Sequence, residues 1–354
     1  MKLINYPYIV QKEIFDHLSI NHLFFLSLCS KNTKNFIKET QKHQLKTVER
    51  VQYWIHGKVM CINAKICPRN RDTVMRLLTK NTDFPKYTSG DVIEEVRVNE
   101  LGKPIDFFRC PAKGSDLHAK SSFDNMESTI ETIHDHLYNL LGNRTMFWLE
   151  TGAGTNLLPK LRNVRKLEIV GDGFRPWKIN EFLDQSTCLE HFSWGAAYER
   201  ERIWSENSKV FEIDTVYFDA GSFFATDFMK RFNGRYVFLK SFEITETDVI
   251  QFLNVWKSGK EFPNLEVISI DSVFNIRQIG ISVDFKHLDK DVVYSFSRKF
   301  SEPCFLFFYP CEFRSNLYMV RELDGRVASV TLNCRTVVLG VWNMTEEEFL
   351  AKFQ

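Results

Sequence analysis

The chain of 354 residues predicts an α+β protein, with a small helical unit at its N-terminus, a β/α repeat in its later part and a β-hairpin near its C-terminus. Three observations carry that expectation. Apolar residues at helical spacing fill the first forty positions, starting at a proline. From residue 160 an apolar spacing recurs every 24–26 residues. Finally, Asp324-Gly325 separates two alternating apolar runs, the usual signature of a tight hairpin turn.

Taken in order, residues 8–18 (YIVQKEIFDHL) place Ile9, Val10, Ile14, Phe15 and Leu18 on a helix, with Pro7 suited to its first turn. Ser19 or Asn21 caps a second helix carrying Leu23, Leu26 and Leu28. Ser30 caps a third that packs Phe36 and Ile37. Such a unit is too small to hold a core of its own, so its apolar side chains need the rest of the chain or another protein. After Gln41 the pattern turns to strands. Val48 to Ile55 and Lys58 to Ile62, joined through His56-Gly57, predict one hairpin; Val92 to Val98 and Ile105 to Arg109 predict another. Ser128 to Leu141 reads as an amphipathic helix, with Ser128 and Glu131 as a capping box.

The repeat has the form apolar-x-x-apolar-x-apolar. It occurs at Val164/Leu167/Ile169, Leu189/Phe192/Trp194, Ile213/Val216/Phe218, Leu239/Phe242/Ile244 and Leu265/Ile268/Ile270. Helical stretches lie between, at Ile179 to Leu183, Phe223 to Phe232 and Thr247 to Lys257. A strand plus a helix at this period is the mark of leucine-rich repeats, whose units stack into a curved solenoid. The position where an asparagine would ladder holds Asp172, Ala197, Gly221, Thr247 and Val273, which points to a short irregular repeat. The other reading of the pattern is a mixed sheet with helices on one side. Beyond it, Leu317 to Leu323, Arg326 to Leu332, Val337 to Trp342 and a closing helix over Thr345 to Phe353 form a piece able to cap the open end.

Composition narrows the function. A formal net charge of +1 argues against a nucleic acid or an anionic membrane as dominant partner, and no apolar run reaches bilayer-spanning length. Residues 1–30 carry charged residues throughout and do not read as a signal peptide, so a cytoplasmic or nuclear setting with reduced thiols is expected. The eight cysteines lack zinc-knuckle spacing; Cys61 to Cys67 and Cys304 to Cys311 are too widely separated. The thirty-two phenylalanines suit a large aromatic core. Thr151-Gly-Ala-Gly-Thr-Asn lacks the lysine of a phosphate loop and reads as a turn. His134 and His136, two apart on a helix, face different ways and do not share a metal. Without a nucleophile elbow or a Cys/His pairing, the chain is not expected to be an enzyme, and no catalytic residue, metal or cofactor is assigned. Lys31 to Lys46 is the one basic stretch, and a solvated helix face accounts for it.

Pro7, Ile14, Leu18, Leu23, Leu26, Ser27, Cys29, Ser30 and Lys31 resemble the F-box of the large nematode F-box protein group. Ile250 to Trp256 (IQFLNVW), Phe262-Pro-Asn-Leu-Glu and the run from Arg321 to Val330 resemble the type-2 F-box-associated domain that accompanies it. Tyr6 stands where the family usually has leucine, and a tyrosine can fill the same apolar contact. The resemblance implies an F-box over residues 1–47, a leading α/β segment over 48–159 and a substrate-binding domain over 160–354, an irregular leucine-rich-repeat-like β/α solenoid with a C-terminal hairpin cap. It implies a substrate-recognition adaptor of a cullin-RING (SCF-type) ubiquitin ligase, with a Skp-type adaptor and cullin complex on one side and an unidentified target protein on the other. The docking residues carried over are Pro7, Ile9, Ile14, Leu18, Leu23 and Leu26; the alternative is that some of them only hold the helices together. For the target face, side chains flanking the apolar strand positions are expected to point away from the core. These are Lys166, His191, Thr215, Ser241 and Val267; Glu168, Ser193, Tyr217, Glu243 and Ser269; and Val170, Gly195, Asp219, Thr245 and Asp271. A second function also fits the sequence: an interaction scaffold whose F-box-like helices pack internally, with no ligase link.

Overall fold

The computed structural model describes residues 6–66, 71–79, 94–98, 105–109, 117–121, 125–152, 154–171, 174–196, 204–205, 207–220, 224–295 and 312–353. Cys67, Cys110, Cys304, Cys311 and the turn at Leu101 to Pro104 lie outside the described residues. The chain forms two compact units, Met1–Leu167 with Gly173–Leu189, and Glu168–Asp172 with Glu190–Gln354.

The first unit opens with α1 (Tyr8–Asp16), α2 (Ile20–Cys29), α3 (Lys31–Thr40) and α4 (Lys42–Lys46). Ser30 caps α3 as expected, its hydroxyl accepting the Thr33 N–H at 3.0 Å. Ser19 stands at the cap of α2, but its hydroxyl goes to the His22 ring at 2.6 Å and not to a backbone amide. There follow β1 (Val48–His56), β2 (Val59–Ile66), β3 (Arg71–Thr79), β4 (Glu94–Val98), β5 (Ile105–Arg109), β6 (Leu117–Ser121), α5 (Met126–Leu141), β7 (Met146–Thr151), β8 (Val164–Val170) and α6 (Pro176–Gln185). The strand order is β7-β1-β2-β3-β6-β5-β4, with both expected hairpins present as antiparallel pairs. Gly57 takes φ +56° in the first of those turns, a backbone that glycine adopts without strain.

The small helices are covered from inside the chain. Phe15, Leu23, Phe24, Leu28, Ile37 and Leu45 are buried; α2 lies against β3, and α3 and α4 lie against α5. The capping box expected at Ser128 and Glu131 is absent because α5 begins two residues earlier, at Met126. Glu131 instead accepts the Lys160 N–H at 2.8 Å and Glu127 the Leu158 N–H at 2.7 Å, tying the helix to the segment that leads into β8.

The second unit holds β9 (His191–Ala196), a 3-10 turn (Lys209–Glu212), β10 (Thr215–Ala220), α7 (Phe224–Arg231), β11 (Tyr236–Lys240), α8 (Glu246–Ser258), β12 (Val267–Asp271), α9 (Ile276–Ser282), β13 (Lys286–Ser295), β14 (Glu312–Val320), β15 (Arg326–Leu332), β16 (Thr336–Thr345) and α10 (Glu346–Phe353). Strands β9 to β12 run parallel in chain order, and β16, β15, β14 and β13 extend the sheet antiparallel from β12. The C-terminal piece thus covers the β12 edge by strand pairing, which leaves no open ladder there. Helix α8 starts in a capping box between Thr245 and Asp248 and ends at Gly259, whose left-handed φ of +74° closes the helix.

The even repeat spacing does not hold. Phe192, Val216, Val237 and Ile268 share one register, and Trp194, Phe218, Leu239 and Ile270 share the next. The fourth unit therefore reads from Gly234 through Val237 to Leu239, five residues earlier than the pattern Leu239/Phe242/Ile244 placed it. A Cβ at Gly234 would sit 2.0 Å from the Ile213 carbonyl oxygen, so only glycine allows the close approach that starts β11 two residues later. Phe242 and Ser241 fall past the strand end, and Tyr236, Phe238 and Lys240 take the positions assigned to Ser241, Glu243 and Thr245.

Candidate functional site

Two surfaces bear on function, one in each unit. In the first, α1 buries a single side chain, Phe15, which packs on Phe36 of α3 at 5.3 Å between ring centres. Its other apolar residues face outward: Tyr8 is 61% and Ile9 78% exposed, and Pro7, Val10 and Ile14 are exposed as well. Leu18 and Leu26 are half-buried. Leu23 is fully buried and belongs to the packing of the helices, which corrects its assignment as a docking residue. Helical spacing put Leu23 and Leu26 on one apolar stripe, but α2 meets α3 and β3, so the stripe is split between core and surface. What remains exposed is Pro7, Tyr8, Ile9, Val10 and Ile14; Val10 and Ile14, four apart, share one face of the short helix, and Ile9 lies on another.

Two buried histidines of α5 tie that helix to its neighbours, His136 to α2 and His134 to β1 and the segment before β8. Ser27 donates its hydroxyl proton to the Phe24 carbonyl at 2.6 Å, so its oxygen accepts from His136 Nε2 at 2.7 Å. His134 Nε2 accepts the Arg162 amide N–H at 3.0 Å, which leaves Nδ1 carrying the proton toward the Tyr53 hydroxyl at 2.9 Å. Burial lowers both imidazoles to a pKa of about 4. They are neutral structural bridges with separate partners.

In the second unit and in β8, most of the expected target face is inaccessible. Lys166, Glu168, His191, Ser193, Tyr217, Ser241 and Ser269 are buried. Alternation along a strand does turn their side chains from the apolar columns, but both faces of these strands are covered, as in parallel sheets generally. Lys166 places its ammonium 4.9 Å from the Trp148 ring centre. Tyr217 stacks on Phe238 at 4.2 Å and joins a cluster with Tyr236, Val267 and Tyr294, onto which Phe313, Val338 and Trp342 pack from the C-terminal strands. The C-terminal piece thus covers a face that sequence alternation alone had left open.

Accessible residues concentrate at the carboxyl ends of the strands. Asp219, Glu243 and Asp271 are half-buried there, and Lys240 donates to Asp219 at 3.1 Å. Phe242 and Val273, read from the sequence as a core position and a ladder position, are 77% and 70% exposed. Their signal was present in the run YVFLK after Asn233-Gly234, a complete strand that leaves Phe242 in the connection.

Residues 7–45 match the F-box domain, and that domain is present here. No curated protein and no solved structure matches the chain. Among the described residues no group of His, Cys, Asp and Glu is placed to hold a metal, and no helix is long and apolar enough to cross a membrane.

Proposed function

We propose that the chain is the substrate-recognition adaptor of a cullin-RING (SCF-type) ubiquitin ligase, docking a Skp-type adaptor through residues 7–45 and a target protein through its second unit. The observation that carries this reading is the F-box match together with the exposure of the apolar residues Pro7, Ile9 and Ile14 on and beside α1. F-box domains bind Skp-type adaptors, and large apolar side chains left bare on a surface helix mark a protein interface. Its chemistry is proximity: the chain supplies no nucleophile and raises the concentration of a target near the ubiquitin-loaded enzyme.

The remaining organisation follows the same reading. Residues 1–47 serve as the docking module and 48–159 as a leading segment. Residues 160–354 form an irregular leucine-rich-repeat-like domain of the nematode F-box-associated kind; the succession β9 to α9 supports it, and uneven register sets it apart from a regular horseshoe. A second reading, an interaction scaffold with internally packed helices, draws on the burial of Leu23, Phe24 and Ser27. It leaves the exposed apolar residues of α1 without a purpose. Co-purification separates them. Full-length protein is expected to retain a Skp-type adaptor, and the Pro7→Ala, Leu18→Ala double variant to lose most of it. Absence of adaptor from the wild type, or full retention by the variant, contradicts the docking assignment.

A further inference from the structure

The carboxyl ends of β10, β11 and β12 form a rim with a defined chemistry. Asp219, Lys240 and Asp271 stand in one register across the three strands. Lys240 is engaged by Asp219 at 3.1 Å, while the Asp271 carboxylate accepts no hydrogen bond among the described residues. Glu243 Oε2 is shielded from water and likewise has no hydrogen-bond partner among the described residues. Two positions beyond Lys240 and Asp271, on the connections that follow their strands, Phe242 and Val273 expose 77% and 70% of their surface, and Ile276 stands near them in sequence at 38%.

These connections are held in place. The Ser241 N–H donates to the Asp271 carbonyl at 3.0 Å, the Ser272 hydroxyl to the Ile244 carbonyl at 3.1 Å, and Glu246 accepts the Asn275 N–H at 2.5 Å. The exposed rings and methyls are thus presented from ordered backbone, which lowers the ordering cost of binding. Carboxylates that lack donors gain from a cation or N–H group brought beside them, and bare apolar side chains gain from cover.

We infer that this rim binds a protein segment that sets apolar side chains next to lysine or arginine. Among the described residues of the rim, Asp219, Glu243 and Asp271 outnumber the cations Lys240 and the exposed Arg335, so an acidic or phosphorylated segment is repelled and a basic one attracted. Phe242 and Val273 would supply the apolar anchors and the carboxylates the selectivity. Partial burial raises the pKa of Asp271, and an incoming ammonium or guanidinium relieves that cost. The placement at strand carboxyl ends is where open parallel sheets present ligand-binding loops.

This inference rests on the reading of the second unit as the target-holding part. The test uses the full chain and three labelled synthetic twelve-residue peptides, one of alternating leucine and lysine, one of alternating leucine and glutamate, and one of alternating serine and lysine. Fluorescence polarisation is expected to show binding of the leucine–lysine peptide, about tenfold or more weakened in the Phe242→Ser, Val273→Ser variant. The Glu243→Gln, Asp271→Asn variant is expected to bind it several-fold more weakly with a smaller dependence on salt. No binding of that peptide overturns the proposal, as does equal binding of the glutamate peptide or unchanged affinity in both variants. Serine–lysine binding as tight as leucine–lysine removes the apolar anchor and overturns it too. Near-ultraviolet dichroism and melting curves unchanged from the wild type show that the second unit of each variant is folded, and adaptor retention is measured on the same preparations. It also separates the two ideas, since loss of adaptor binding with the rim intact counts against the ligase reading alone.

Discussion

His134 and His136 make the first unit sensitive to acid. Their ordinary pKa of 6.5 is lowered to about 4 by burial, so above pH 6.5 both are neutral in the folded and unfolded chain. Between pH 6.5 and 4 the unfolded chain takes up protons that the folded one refuses, and stability falls by up to about 1.4 kcal/mol per pH unit for each histidine. His136→Gln keeps an amide donor for Ser27 and removes one titrating group. Urea unfolding of the two proteins at several pH values between 6.5 and 4 is expected to show a shallower loss for the variant; parallel slopes would show that His136 is not the titrating group. Little of this was legible beforehand. The sequence placed both histidines on one helix and excluded a shared metal, but spacing alone does not reveal which body covers a helix face. Leu23 and Ile9 carry the same ambiguity, and only the packing of α2 against β3 and α3 separates the core residue from the exposed one.

Among the elements, β16 is the one on which the second unit closes. The Tyr294 ring from β13 lies over Gly340, where a Cβ would come within 2.6 Å of the ring, and the Tyr294 hydroxyl donates to the Val341 carbonyl at 2.9 Å. The ring is pinned at both ends, so a side chain at 340 cannot push it aside cheaply. Gly340→Val is expected to destabilise the unit by about 1–3 kcal/mol, read as a lower melting temperature with altered near-ultraviolet dichroism. An unchanged melt would show that the ring relaxes freely. The hairpin around Asp324-Gly325 was legible as an antiparallel pair, because turn chemistry and alternation are local signals, but its connection is longer than those two residues: β14 ends at Val320 and Leu323 lies exposed in the turn. The repeat register was not. Its fourth unit depends on Gly234 passing close to Ile213, which the apolar-x-x-apolar-x-apolar spacing alone does not encode although the run Tyr236 to Lys240 reads as a strand, and the shift turned Phe242 from an expected core residue into an exposed one. Around Tyr217 and Val267 the reason is related: alternation gave the direction of the expected target columns, but Tyr294 and its neighbours pack on that side.

For the molecule as a whole, the expectation from sequence was a docking module followed by a binding domain, and the F-box match at residues 7–45 bears on the first part alone. What changed is how the helices are used. They are anchored into the first unit through the buried faces of α2, α3 and α4, while α1 keeps Tyr8, Ile9, Val10 and Ile14 exposed. On the proposed ligase reading, a handle fixed to the body would transmit orientation, which proximity-based catalysis requires. The most direct test is light scattering coupled to size exclusion on the full chain mixed with a purified Skp-type adaptor. The wild type is predicted to elute as a one-to-one complex, heavier than its own 41.7 kDa by one adaptor. The Ile9→Asp, Ile14→Asp variant is predicted to elute at its own mass. A wild type that elutes alone, or a variant that still co-elutes in full, contradicts the account.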